Sequence, residues 1–204
     1  MGQKSKLVKA VGTSFEIIKA LSEQVHAIGG DDDDLRELLR DSELCRTLAI
    51  RLVMGPTYIV DVKQTTIADL IKVGRYPKDF VDQMINDQTF SIGSLGPRAI
   101  QLMNFSGTAS LLGPYRMSTD ALLEKIDEIG FRPATMAELL SLGTQYPKLQ
   151  TQFWIAALGD IVKNTIGTPC VGCLDYNGYF RGVRMSPLED MSNVRCWRFA
   201  AVAK

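Results

Sequence analysis

Four cysteines, one histidine and a run of four aspartates are the residues of this sequence best suited to chemistry. Cys170 and Cys173 form a Cys-x-x-Cys pair, the spacing of zinc and redox sites. A structural zinc site wants a second pair at similar spacing, and neither Cys45 nor Cys196 supplies one. A redox pair should open a helix after a strand, but Thr168–Leu174 reads as a strand. Residues three apart on a strand face opposite sides, so packing is the preferred reading of these thiols. Asp31–Asp34 lacks the alternating ligands and glycine turn of a calcium loop. It reads instead as an acidic first helical turn complementing the helix dipole, with Asp34 and Glu37 as caps. His26 lies alone in a helical stretch and reads as a surface or packing residue. Ser-His-Asp chemistry would have to recruit it from there. Glu138 and Asp160 could pair as acid and base, but Glu138 sits in a capping box and Asp160 reads as a turn residue. No Gly-rich phosphate loop, Gly-x-Ser-x-Gly or His-Glu-x-x-His is present. The expectation is a protein that binds and does not catalyse, without cofactor or metal.

A different set of residues suits recognition. Tyr176, Tyr179, Arg181, Arg184, Ser186, Glu189, Asp190, Ser192, Asn193, Arg195 and Trp197 crowd, with Asp175, into one short stretch. Tyr, Arg, Trp, Ser and Asn make adaptable contacts in binding loops. An ordinary mixed polar surface would use the same residue types, and both readings stand at this point.

Composition limits the partner. Lys plus Arg and Asp plus Glu each number 23, a formal net charge of zero. Nucleic-acid binders carry a basic excess, so nucleic acid is not the expected partner. Little colloidal repulsion at zero charge is compatible with a homo-oligomer. No apolar stretch approaches the length of a bilayer span. The N-terminus lacks the apolar run of a signal peptide, and Lys6 stands where a myristoylation signal needs Ser or Thr. The chain reads as cytoplasmic as synthesised, with display on a virion or cell surface left open.

The elements that would position these residues can be traced. With 46% hydrophobic residues, the 204-residue chain has material for a sizeable core. Thr13–Glu16 offers a capping box, and Phe15, Ile18, Leu21, Val25 and Ile28 recur at helical spacing up to Gly29-Gly30. Leu35, Leu38, Leu39, Leu48 and Leu52 give a second helical face, which Gly55-Pro56 ends. Thr57–Lys63 is a strand by composition. Thr66–Gly74 and Pro77–Asp87 read as short helices and Ala99–Asn104 as a strand. Ser118 caps a helix to Ile129, with Leu122, Leu123 and Ile126 facing the core and Gly130 as its stop. Thr135-Met-Ala-Glu138 is a capping box opening a helix that Gly143 should end. From Phe153 the chain is β: Phe153–Leu158, Pro169–Leu174, Tyr179–Met185 and Arg195–Val202. The result is an α+β protein, a helical extension over 1–54 and a second domain over 55–204. Phe131, Leu139, Trp154, Ile155, Leu158, Phe199 and Val202 are its expected core.

Three segments of the second domain carry a resemblance. Gly130-Phe-Arg-Pro-Ala-Thr-Met-Ala-Glu-Leu-Leu140 resembles the helix opening of bacterial C-type-lectin-like domains, the formylglycine-generating-enzyme-like proteins among them. Phe153-Trp-Ile-Ala-Ala-Leu-Gly159 and Cys196-Trp-Arg-Phe-Ala-Ala-Val-Ala203 are similar, in that order, to their later strands. The resemblance covers about residues 130–204. More narrowly, the tail resembles the variable proteins of diversity-generating retroelements. That implies a C-type-lectin-like domain displaying a variable surface before a constant last strand, with an unidentified protein or other macromolecule as ligand. It also implies that Thr57–Lys63 pairs with the last strand. The cysteines near the end of the enzyme relatives suggest an alternative, a cysteine-dependent oxidoreductase using Cys173 and Cys196. The calcium tripeptides of sugar-binding lectins, Glu-Pro-Asn and Trp-Asn-Asp, do not occur.

Overall fold

Capping chemistry and strand alternation account for most elements of the computed structural model, which describes residues 19, 22–43, 56–105, 117–192 and 196–204. The Thr13–Glu16 box, Phe15, Ile18, Leu21, Cys45, Leu48, Leu52, Asn193 and Arg195 lie outside those residues, as do the side chains of Leu35, Leu38 and Leu39. The chain divides into two compact units, Met1–Ile50 and Arg51–Lys204.

In the first unit, residues 22–27 are helical and Gly29 turns the chain at φ 90°. Helix α1, Asp32–Arg40, follows. Its cap is Asp31, not Asp34 or Glu37. Asp31 is extended, and its carboxylate accepts from the backbone N–H groups of Asp33 and Asp34. Asp34 reciprocates, accepting from the Asp31 N–H at 2.8 Å. Only a residue outside the helical φ/ψ region can turn its side chain onto the first N–H groups, and the first aspartate of the run is that residue. His26 is exposed, 3.4 Å from an Asp32 oxygen.

The second unit is mixed α+β around a seven-stranded sheet. Its strands are β1 (Thr57–Val62), β2 (Gly96–Met103), β3 (Phe131–Pro133), β4 (Trp154–Lys163), β5 (Pro169–Tyr176), β6 (Arg181–Pro187) and β7 (Trp197–Ala203). The order is β1-β2-β7-β4-β5-β6, with β3 on β7. Its helices are α2 (Ile67–Val73), α3 (Thr119–Glu128) and α4 (Met136–Gln145), with 3-10 turns at Lys78–Phe80, Leu149–Thr151 and Leu188–Ser192. Pro77–Asp87 thus holds one 3-10 turn rather than a helix. Among the described residues no helix is long and apolar enough to cross a membrane.

Strand β7 organises the sheet. One of its edges takes β2 antiparallel, from Met103↔Phe199 to Ile100↔Val202. The other is shared: β4 runs parallel beside its first half and β3 antiparallel beside its second. The fork needs β4 to leave β7 after Ala156, and a bulge between Ala157 and Ile161 bends it away. At the bulge the Gly159 N–H donates to the Ala134 carbonyl at 2.9 Å. A Cβ at Gly159 would stand 2.5 Å from that oxygen, so only glycine permits the approach. Strand β1 lies in the same sheet as β7 but pairs with β2, not with β7. Its outer edge is closed by side chains at the end of α4. The Gln145 amide bonds both the N–H and the C=O of Asp61, at 3.0 and 2.9 Å, and the Tyr146 hydroxyl donates to the Ile59 carbonyl. Such cover keeps an edge strand from pairing with another chain.

Both faces of β7 are buried, which is why its sequence is almost continuously apolar. One face joins Ala200 and Val202 to Ile100, Leu102, Ile155, Ala157 and the apolar side of α4. By alternation the other carries Met103, Ala156, Trp197, Phe199 and Ala201. Helix α4 is held by its capping box: Thr135 Oγ1 accepts from the Glu138 N–H, and Glu138 accepts from the Thr135 N–H. Asp160 adds to it, accepting from the Met136 N–H at 2.7 Å. That carboxylate therefore serves a helix start within β4, and not a turn after it. Gly143 does not end α4, which runs on to Gln145. Its missing Cβ leaves room for the Tyr76 hydroxyl and Leu174.

The expected core is corrected at two positions. Leu139, Ile155, Leu158, Phe199 and Val202 are buried, Phe131 is half-buried, and Trp154 is 48% exposed. Trp154 starts β4 with Ile155 turned into the α4 face, so the indole must point to the other side.

Candidate functional site

On the face of the sheet away from α4, the β5–β6 hairpin and the start of β7 border a cleft of about 420 Å3. Strand period decides which residues reach it. Cys173 pairs with Arg184 across the hairpin, and Asp175 and Ser186 lie two residues along on the same face. Trp154 and Trp197 are register partners between β4 and β7, their ring centroids 5.4 Å apart. The 3-10 turn Leu188–Ser192 closes one side with Glu189, Asp190 and Ser192, and Cys196 completes the lining.

Backbone bonds hold these walls. The Trp197 indole N–H donates to the Asp190 carbonyl at 3.2 Å. The Met117 N–H donates to the Ser192 carbonyl at 3.1 Å, tying the turn to the segment before α3. Behind the hairpin, buried Gln150 donates from its amide nitrogen to the carbonyls of Asp175 and Gly182, each at 2.6 Å. Its amide oxygen accepts from the Tyr76 hydroxyl at 3.3 Å, so every face of the amide is used. The Phe80 and Phe180 rings stack at 4.9 Å near the hairpin tip.

Six residues of the recognition stretch line the cleft: Arg184, Ser186, Glu189, Asp190, Ser192 and Trp197. Trp197 is only 5% exposed, so it is floor more than contact. Tyr176 stays in the hairpin, its hydroxyl donating to the Gly178 carbonyl at 2.6 Å. Tyr179 stands at the tip, 85% exposed and away from the cleft. Arg181 turns inward. It donates to the Gly143 carbonyl at 2.9 Å and to the Gly74 carbonyl, and lies over the Tyr76 ring. Its guanidinium joins the ends of α2 and α4 to the hairpin. Asp175 of the same stretch lines the cleft too, as do Cys173 and Cys196, the pair of the oxidoreductase reading, and Trp154 is the addition. Asp175 and Cys173 carried a usable signal, since period two places them beside Arg184 and Ser186. Trp154 carried none, because an apolar strand start looks the same whichever face it presents.

The chemistry of the lining is polar. Asp175 Oδ2 lies 2.7 Å from Arg184 Nε. Burial pushes the Asp175 carboxyl up from its ordinary value, and the Arg184 charge pulls against that rise. Cys173 Sγ lies 3.4 Å from both Ser186 Oγ and the Arg184 carbonyl. Burial pushes its thiol up to about 11. It is therefore protonated at neutral pH, when a nucleophile would need the thiolate. Cys170 and Cys173 are both buried, and alternation sets them on opposite faces of β5, so they cannot chelate together. Among the described residues no three His, Cys, Asp or Glu side chains are placed to hold a metal ion.

No family model, curated protein or solved structure matches the chain.

Proposed function

We propose that Arg51–Lys204 is a ligand-binding display module: a C-type-lectin-like domain of the kind used as variable proteins by diversity-generating retroelements. Its ligand is a protein or other macromolecule, and the recognition surface is the cleft between the β5–β6 hairpin and β7. The reading calls for no cofactor and no nucleic acid. The observation that carries it is the convergence of six side chains from residues 184–197 on one concavity beside the core strand β7. A rigid strand supporting polar, exchangeable side chains is the arrangement that lets a surface vary without loss of the fold. Strands β1 and β7, at either end of the domain, share one sheet, as a lectin-like plan requires, although β2 lies between them.

The test is a library randomised at Arg184, Ser186, Glu189, Asp190 and Ser192, assayed for soluble expression and then selected on lysozyme as an arbitrary target. Most members should express and melt like the parent, and binders should emerge with cleft sequences unlike the parent's. A library whose members mostly fail to fold would make the stretch structural and end the proposal.

The oxidoreductase alternative gains one observation, that Cys173 and Cys196 line the same cleft. The raised thiol of Cys173 weighs against it. A parent carrying Cys173→Ala and Cys196→Ser should yield lysozyme binders as readily as the wild type. A strict need for both thiols would favour the redox reading.

A further inference from the structure

We infer that the cleft takes a cationic side chain, a lysine or arginine presented by a protein partner, over the Trp154 ring and beside the carboxylates of Glu189 and Asp190. The inference rests on the reading of the cleft as a recognition surface and names the chemistry of what enters it.

Charge gives the first reason. Among the described residues the lining holds three carboxylates, Asp175, Glu189 and Asp190, and one guanidinium, that of Arg184. Arg184 is engaged with Asp175 at 2.7 Å. Glu189 and Asp190 are exposed, and no described cation pairs with either. Among the described residues, therefore, two carboxylates on one wall of the cleft stand without a cationic partner. The aromatic wall gives the second reason. Trp154 is nearly half exposed, which is unusual for a tryptophan at the start of an inner strand, and Trp197 backs it at 5.4 Å. Indole is the best aromatic partner of a cation, through the negative potential of its face.

Other ligand classes fit worse. An anion would meet Glu189 and Asp190 with Arg184 already taken. A purely apolar group would strip water from the two carboxylates and return nothing to them. A lysine or arginine satisfies both walls, its stem on the indole and its head at the carboxylates. The cleft volume of about 420 Å3 is ample for an inserted lysine or arginine side chain. The geometry is also held in advance, because the bond from the Trp197 indole N–H to the Asp190 carbonyl fixes the turn that carries both acids.

The test is selection of a phage-displayed random dodecapeptide library on the full chain, run in parallel on the Glu189→Gln/Asp190→Asn variant. Peptides enriched on the wild type should carry a Lys or Arg. Its replacement by Gln, Trp154→Ala, and the double variant should each weaken binding about tenfold or more by calorimetry. Raising NaCl from about 50 to 500 mM should weaken it as well. Both acids are exposed, so the double variant should melt with the wild type. If it does not, the two single variants and the salt series decide the same question. Enriched peptides that depend on Trp154 or Ser192 yet need no Lys or Arg would overturn the cation and leave the recognition surface standing. Peptides indifferent to every cleft substitution, or no enrichment at all, would overturn both.

Discussion

Replacing Phe199 by alanine should lower the unfolding free energy by about 3–5 kcal/mol. Phe199 is fully buried in the strand that joins β2, β3 and β4, on the sheet face opposite α4. Its ring packs 5.8 Å from that of Phe105. Backbone pairing on both sides of β7 holds the strand in place, so the surroundings cannot collapse into the space the ring leaves. The loss then includes the cavity as well as the transfer of the ring from water. Urea melts would show it, and a loss below about 1 kcal/mol would mean that this face of β7 is not core.

Glu138→Ala should cost about 2–4 kcal/mol, the second largest effect. Glu138 is a buried carboxylate with four obligations. It accepts from Arg132 at 2.9 and 2.6 Å and from the Thr135 N–H at 2.9 Å, and Arg98 Nε lies 3.5 Å away. Its removal leaves two guanidinium groups facing each other and an N–H at the start of α4 without a partner. Breaking a fully buried pair costs about 3–5 kcal/mol. The lower figure allows for Arg132, whose side chain is 39% exposed and partly screened by water. Burial by itself would push the Glu138 carboxyl up, but the hydrogen bonds and charge of Arg132 and the Thr135 N–H outweigh it and hold it below the usual carboxylate range. A carboxyl depressed in the folded state stabilises fully above its unfolded value of about 4.3, and that contribution fades as pH falls through the folded value. The stability gap between wild type and Glu138→Gln should therefore be constant near neutral pH and narrow in acid. A gap that widens below pH 4 would reverse the sign and contradict the assignment.

What the sequence disclosed, and what it hid, divides along the range of the interactions. The Thr135–Glu138 box, the Ser118 cap and the glycine after α3 are contacts between residues three or four apart, and composition at fixed offsets announces them. The apolar run of β7 announces burial on both faces. Long-range choices were silent. Nothing near Arg181 says that its guanidinium will cross to Gly74 and Gly143, so it reads like its exposed neighbours. Trp154 reads as core because alternation fixes which residues share a face but not which face is covered. The pairing of β1 with β2 rather than β7 is a topological choice that the composition of β1 does not announce. The first aspartate of a run of four is singled out as the cap only by its backbone angles. Much of the cleft was legible in the crowded tail. Its far wall was not, since Trp154 is brought there from a strand more than 30 residues earlier than the turn that faces it.

A display cleft is carried by the fold and does not hold it together. The melting temperature of one variant tests this most directly, that with Arg184→Ala, Ser186→Ala, Glu189→Ala, Asp190→Ala and Ser192→Ala combined. Each of these side chains is exposed or half-buried, and such changes usually cost less than about 0.5 kcal/mol apiece. For a domain of this size 1 kcal/mol moves the midpoint by about 2–4 °C. A display cleft should then give a cooperative melt within about 10 °C of the wild type. A fall of more than about 10 °C, on the scale expected for Phe199→Ala, would contradict it.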